Sequence, residues 1–208
     1  MVVTRVEELS RSRSKVYIEE EFAFVLYKGE LRLYHVHQGE ELSQADYDAI
    51  LREVLPRRAK RRAMNLLQGR EYTTKQLHDK LREGYYPEAV IDQALDYVAG
   101  YRYIDDLRYA VSYITGQESV RSRRRIEQDL IRKGIPRKIL EQAWQEWEEQ
   151  GGAQDEQSMI KKLLEKKKYD PGHTDRKEVQ RLYSFLARKG FSGEQIRKAL
   201  MWENTWEE

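Results

Sequence analysis

The sequence predicts a mainly α protein, a tandem array of three three-helix repeats with a small N-terminal segment that contains a β-hairpin. Three observations carry that expectation. Six apolar positions recur in register in three stretches of the chain. From residue 57 onward the apolar residues fall at helical spacing. Ahead of that point lies a β-branched and aromatic run, Val16-Tyr17-Ile18-Glu19-Glu20-Glu21-Phe22-Ala23-Phe24-Val25-Leu26, with acids at its middle.

That run reads as two strands joined by a tight turn. Leu31, Leu33 and Tyr34 predict a third strand. After Gly39 and Ser43, the spacing of Tyr47, Ile50, Leu51 and Val54 predicts a helix over roughly residues 45–55. Pro56 suits a helix start and not an interior, so a new helix is expected there.

The repeat is anchored on Leu81, Leu130 and Leu186, which stand 49 and then 56 residues apart. Four residues before them stand Leu77, Ile126 and Leu182. Five after stand Tyr86, Ile135 and Phe191. Ten after stand Ile91, Leu140 and Ile196; thirteen after, Ala94, Ala143 and Ala199; fourteen after, Leu95, Trp144 and Leu200. The i, i+4 pair is the buried stripe of one helix. Gly84, Gly134 and Gly190 are placed to end it in a left-handed residue. Pro87 and Pro136 open the next helix, and Thr73-x-x-Gln76 and Ser192-x-x-Gln195 have capping-box spacing. An earlier apolar helix completes each unit: Ala63/Met64/Leu66/Leu67, Ala110/Tyr113/Ile114 and Ile160/Leu163/Leu164. The third unit carries a longer loop, Tyr169-Asp170-Pro171-Gly172-His173, and residues 150–154 read as the hinge before it. The resulting division is 1–56, then repeats over 57–104, 105–152 and 153–208. Units this small bury little alone, so neighbours are expected to stack into an elongated array.

Composition narrows the function classes. Of 208 residues, 36% are charged and 39% hydrophobic, which suits slim helical modules better than one large core. The absence of cysteine excludes disulfides, thiolate metal sites and cysteine nucleophiles, and fits a reducing cytoplasmic setting. No uncharged apolar run approaches the roughly 20 residues of a membrane span, and Met1 to Lys15 shows no apolar signal core. The net charge is only +2, but it is uneven: residues 1–56 hold 7 Lys/Arg and 11 Asp/Glu, and residues 57–208 hold 31 and 25.

The chain has no phosphate-cradling glycine motif and no nucleophile elbow. His35 and His37 lie two apart on an expected strand, but nothing nearby completes a metal set, so neither metal nor cofactor is expected. Asp105-Asp106 is the one crisp carboxylate pair. Acid/base work is one reading of it. The other is helix capping ahead of the stripe Leu107, Ala110, Val111 and Ile114, and this reading is preferred. Trp144 and Trp147, and Trp202 and Trp206, are aromatic pairs at helical spacing. They are open to base stacking, although Trp144 occupies a repeat position and is expected in the core.

Basic clusters are the more useful signal. Arg57, Arg58, Lys60, Arg61 and Arg62 open the first repeat. Arg121, Arg123, Arg124 and Arg125 start the middle helix of the second, and Arg132 and Lys133 flank its turn. These residues are the candidate binding residues, because cations sharing a face can track phosphates or meet an acidic protein surface. Lysines of the third repeat, including Lys161-Lys162 and Lys166-Lys167-Lys168, have acids interleaved and read as a solvated face.

Two stretches resemble the RecX family of bacterial recombination regulators: Tyr103-Ile104-Asp105-Asp106-x-x-Tyr109-Ala110 and Ile126-x-x-x-Leu130-x-x-Lys133-Gly134-Ile135. The triple repeat over about residues 57–200 is similar as well. The departures are Arg102 where the family often has glycine, Gly84 one place early, and the longer third-repeat loop. The resemblance implies a non-catalytic protein that acts as a monomer. It implies binding to the RecA recombinase and its filament on single-stranded DNA, and inhibition of recombinase activity by groove occupancy or capping of filament growth. The resemblance assigns no contact residues; the arginines above come from clustering alone. Two rivals stand beside it. A helix-turn-helix-like module would bind duplex DNA without the recombinase. An enzyme built on Asp105 and Asp106 would lose turnover on Asp105→Asn.

Overall fold

A computed structural model describes residues 1–200. Two compact units divide the chain, Met1–Asp105 and Asp106–Glu208.

The first unit begins with a three-stranded antiparallel sheet in sequence order, β1 (Val3–Ser10), β2 (Arg13–Ile18) and β3 (Glu21–Tyr27). The hairpin read from the sequence is β2–β3, and its turn residues Glu19 and Glu20 both adopt the left-handed conformation, with φ of 49° and 71°. That backbone matches the twist of a two-residue hairpin. The third strand is β1, not the stretch holding Leu31, Leu33 and Tyr34. Lys28–Leu33 instead forms helix α1, because Glu30 Oε2 reaches back to accept from the Tyr27 N–H at 2.7 Å. β1 is hidden in the sequence because it is an edge strand carrying Thr4, Arg5, Glu7 and Glu8, and charge is how sheet edges are kept from pairing with other chains. His35 and His37 follow α1 in irregular chain and not on a strand.

Helix α2 (Gln44–Ala49), capped by Ser43, passes through a π-helical turn over Ile50–Val54 directly into α3 (Leu55–Gly69). The expected break at Pro56 is therefore a widened turn. Pro56 has no N–H to donate and its ring crowds the carbonyl four residues back; the Leu55 N–H bonds Ile50 O, five residues back, which opens room for it. Helices α4 (Thr74–Arg82) and α5 (Glu88–Gly100) complete the first repeat. The sheet and this repeat share one core: Val16, Phe24 and Leu26 join Ile50, Leu55, Ala59, Leu77, Leu81 and Ile91.

The second unit holds α6 (Asp106–Gln117), α7 (Arg123–Arg132) and α8 (Arg137–Glu149), followed by α9 (Glu156–Lys166), α10 (Arg176–Arg188) and α11 (Gly193–Ala199). Two separate apolar clusters serve these repeats, one around Ile114, Ile126, Leu130 and Trp144, the other around Ile160, Leu182, Leu186 and Ile196. The anchor leucines are buried in all three repeats, as are the residues four before and ten after them.

The left-handed residue after the middle helix is Gly134 at φ +91° and Gly190 at φ +93°, as expected. In the first repeat it is Tyr85, at φ +64°, and not Gly84. A Cβ on Gly84 would stand 3.0 Å from both the Leu81 carbonyl oxygen and the Tyr86 ring, so that glycine serves close approach. Tyr85 is held by its ring, 6.2 Å from Phe22 with Lys15 at 5.0 Å.

Within the second unit the repeats are tied by polar contacts. Ser122 caps α7 by accepting from the Arg125 N–H at 3.2 Å and donates its hydroxyl to Lys189 O, also at 3.2 Å. Residues 150–154, read as a hinge, are anchored: Gln154 Nε2 donates to Glu118 O and Arg121 O at 2.8 and 2.7 Å. Gly152 lies so close to Trp147 that a Cβ would sit 2.3 Å from its ring.

Candidate functional site

The basic clusters divide into charges already used by the fold and charges left unpaired. Arg58 belongs to the first group. Its guanidinium Nη1 donates to Val25 O at 3.0 Å and to Glu30 at 2.9 Å, and it lies 4.3 Å over the Tyr27 ring. It clamps α3 to β3 and α1. Arg58→Ala is expected to lower the unfolding free energy by about 2 kcal/mol, since it removes charge-assisted bonds from a largely buried group. Arg61→Ala should stay within about 0.5 kcal/mol. Chemical denaturation of the two variants side by side checks both. Lys60 sits 5.1 Å from the Tyr97 ring. Arg57, Arg61 and Arg62 are exposed on α3, and none has a carboxylate partner among the described residues.

In the second repeat the organising residue is Asp129, 8% exposed. Arg121 and Arg132 both donate to it, Arg125 lies 3.4 Å away, and the Tyr113 hydroxyl is 3.5 Å away. Arg121 also donates to the Tyr113 hydroxyl at 3.1 Å. Partial burial pushes the Tyr113 phenol above its ordinary pKa, so it is protonated at neutral pH and acts as a donor. Arg123 lies 3.2 Å from Glu127 and 3.0 Å from Glu148, and stacks 4.4 Å over Trp144. Lys133 lies 5.8 and 5.4 Å from the rings of Tyr109 and Tyr113. Of the arginines expected at this site, Arg124 alone is exposed without an ion pair among the described residues.

The aromatic pairs resolve as well. Trp144 and Trp147 are both buried and meet edge to face at 5.3 Å, so they are core rather than a stacking surface. Trp202 and Trp206 lie outside the described residues. Asp105 immediately precedes α6 and Asp106 is its first residue, the positions that capping requires. Sequence reasoning missed an exposed tyrosine ladder in the first unit. Tyr97 and Tyr101 stand 5.0 Å apart, and Tyr101 and Tyr103 stack at 5.8 Å. Their exposures are 38%, 61% and 47%, unusual for rings that have each other as neighbours. The i, i+4, i+6 spacing of three tyrosines across a helix end was its visible signal. Among the described residues no helix is long and apolar enough to cross a membrane.

Comparison with known proteins agrees with this architecture repeat by repeat. The first, second and third three-helix domains of RecX match residues 59–97, 105–143 and 154–200. Regulatory protein RecX of Caldanaerobacter subterraneus is 30% identical over 202 residues, covering 96% of this chain and 98% of that protein. Its counterpart from Clostridioides difficile is 24% identical over 204 residues, with 96% and 94% covered. A crystal structure of regulatory protein RecX superimposes with a TM-score of 0.58 at 24% identity over 96% of this chain and 98% of that one. That of RecX from Lactobacillus salivarius gives 0.52 at 24% identity over 72% and 96%. Matched over all three of its repeats and along nearly its whole length, this chain belongs to the RecX family of regulatory proteins.

Proposed function

We propose that this protein is a non-catalytic, cytoplasmic regulator that binds the RecA recombinase and its filament on single-stranded DNA and inhibits recombinase activity. Groove occupancy or capping of filament growth would serve equally. The observation that carries the reading is the match of every repeat, in order, to the three-helix domains of RecX. The four-part division into residues 1–56, 57–104, 105–152 and 153–208 belongs to the same proposal, with each repeat offering a separate contact surface.

The electrostatics narrow the contact residues. Arginines held by Asp129, Glu30 or Glu148 are already neutralised, and moving them would cost the fold their partners. Arg57, Arg61, Arg62 and Arg124 carry unneutralised, exposed charge and are the contacts this reading assigns. The experiment is RecA ATP hydrolysis on single-stranded DNA, titrated with this protein at fixed salt. Hydrolysis should fall at amounts well below one per recombinase. The combined reversal of Arg57, Arg61, Arg62 and Arg124 to Glu should raise the half-inhibiting concentration by about tenfold or more. Unchanged inhibition by that variant would remove the assignment. Absence of any inhibition by the unaltered protein would remove the recombinase reading itself.

A further inference from the structure

A cleft of about 370 Å³ in the first unit is lined by Arg13 and Tyr27 from the sheet, Arg62 from α3, Lys80 and Glu83 at the end of α4, and Gly84 and Tyr86 beyond it. Arg13 and Tyr27 face each other directly across β2 and β3. The lining holds three cations and one acid. Lys80 and Glu83 satisfy each other at 2.6 Å. Arg13 and Arg62 have no carboxylate partner among the described residues. Two guanidinium charges thus converge on one concave space with nothing to balance them.

The remaining groups also donate. Tyr27 and Tyr86 form walls of the cleft, and the Arg58 guanidinium lies 4.3 Å and 5.8 Å from their ring centres. Burial raises the Tyr86 pKa, against the pull of the Arg58 and Arg62 charges, so its phenol keeps its proton at neutral pH. A site rich in donors, with two uncompensated arginines, suits an anion with several acceptor oxygens and more than one charge. A carboxylate would balance only half of that charge. Guanidinium forks match phosphate oxygens in pairs.

We propose that this cleft binds a phosphate group, through Arg13 and Arg62 with the tyrosine hydroxyls as further donors. The charge could come from a free phosphate compound or from two neighbouring backbone phosphates of a single-stranded nucleic acid, each carrying one. The chemistry is the same, and the test separates the two. The proposal does not rest on the recombinase reading, since it requires no protein partner.

The test is calorimetric titration of the full chain at low salt with two probes: inorganic pyrophosphate, and an oligothymidylate without terminal phosphates. Saturable binding of at least one probe is expected, weakened about tenfold or more in both Arg13→Gln and Arg62→Gln. Arg188→Gln, in the other unit, should bind as the unaltered protein does. Pyrophosphate alone binding, with sensitivity to both variants, assigns a free phosphate compound. Oligonucleotide binding lost in the same variants assigns the backbone. Arg13→Lys and Arg62→Lys keep the charge while losing the fork; they too should bind more weakly, and they replace the glutamine variants if thermal unfolding shows those to be misfolded. No saturable binding of either probe, or undiminished binding in both arginine positions, overturns the proposal.

Discussion

Gly190→Ala is expected to cost the second unit about 2–3 kcal/mol, a large effect for the addition of a single methyl group. Two penalties combine. At φ +93° a residue with a Cβ is strained by roughly 1–2 kcal/mol. The added Cβ would also stand 2.4 Å from Ser122 Oγ, 2.6 Å from Arg125 Cβ and 3.1 Å from the Arg125 backbone nitrogen. Those atoms belong to the cap of α7, so relief of the clash breaks the cap, worth about 1 kcal/mol. It also breaks the bonds from Ser122 to Lys189 O that join the second and third repeats. Ser122→Ala alone should cost about 1 kcal/mol, and the double variant less than the two losses together, because the cap can be lost only once. Urea unfolding of the three variants measures this, and a Gly190→Ala protein as stable as its parent would show that the joint is soft.

Asp129→Asn is expected to cost about 2 kcal/mol, and its second consequence has the opposite sign. Removing one side of a buried ion pair costs about 3–5 kcal/mol, because the partner charge is left without compensation. The loss at Asp129 is smaller because Arg121, Arg125 and Arg132 are 38%, 35% and 62% exposed, and water takes over part of the screening. Added salt should narrow the deficit by weakening repulsion among the three guanidiniums. Those guanidiniums, released from their common anion, become available to an outside one. The variant should therefore unfold earlier in denaturant and yet bind a polyanion such as heparin or single-stranded DNA more tightly at low salt. Weaker polyanion binding by a folded Asp129→Asn protein would mean that the three arginines face away from any docking surface.

The two variants mark where sequence reading succeeds and where it stops. Thr73 and Ser192 are legible as caps because a cap acts within three residues of itself. Ser122 caps α7 in the same way but lacks the Glu or Gln three residues on that marks the other two. The Asp129 cluster is half legible. Arg125 four residues before and Arg132 three after stand at helical ion-pair spacing, but Arg121 reaches it from outside the helix. Glu30 and Arg58 lie 28 residues apart in different elements, and no spacing rule connects them. β1 escapes reading for a related reason: as a charged edge strand it lacks the alternation by which a half-buried strand is recognised.

The repeat, its register, most helix ends and the recurring apolar positions of the three cores are written in the order of the residues. Each of these follows from periodicity or from hydrogen bonds a few residues long. Which arginines are free is settled by the folded chain alone. Clustering in sequence measures the density of positive charge, whereas availability depends on where the acids fall once the chain is folded. Asp129 and Glu30 neutralise arginines of both clusters from inside the protein, while Arg13, far along the chain from any cluster named from the sequence, is brought beside Arg62 by the packing of the sheet against the first repeat.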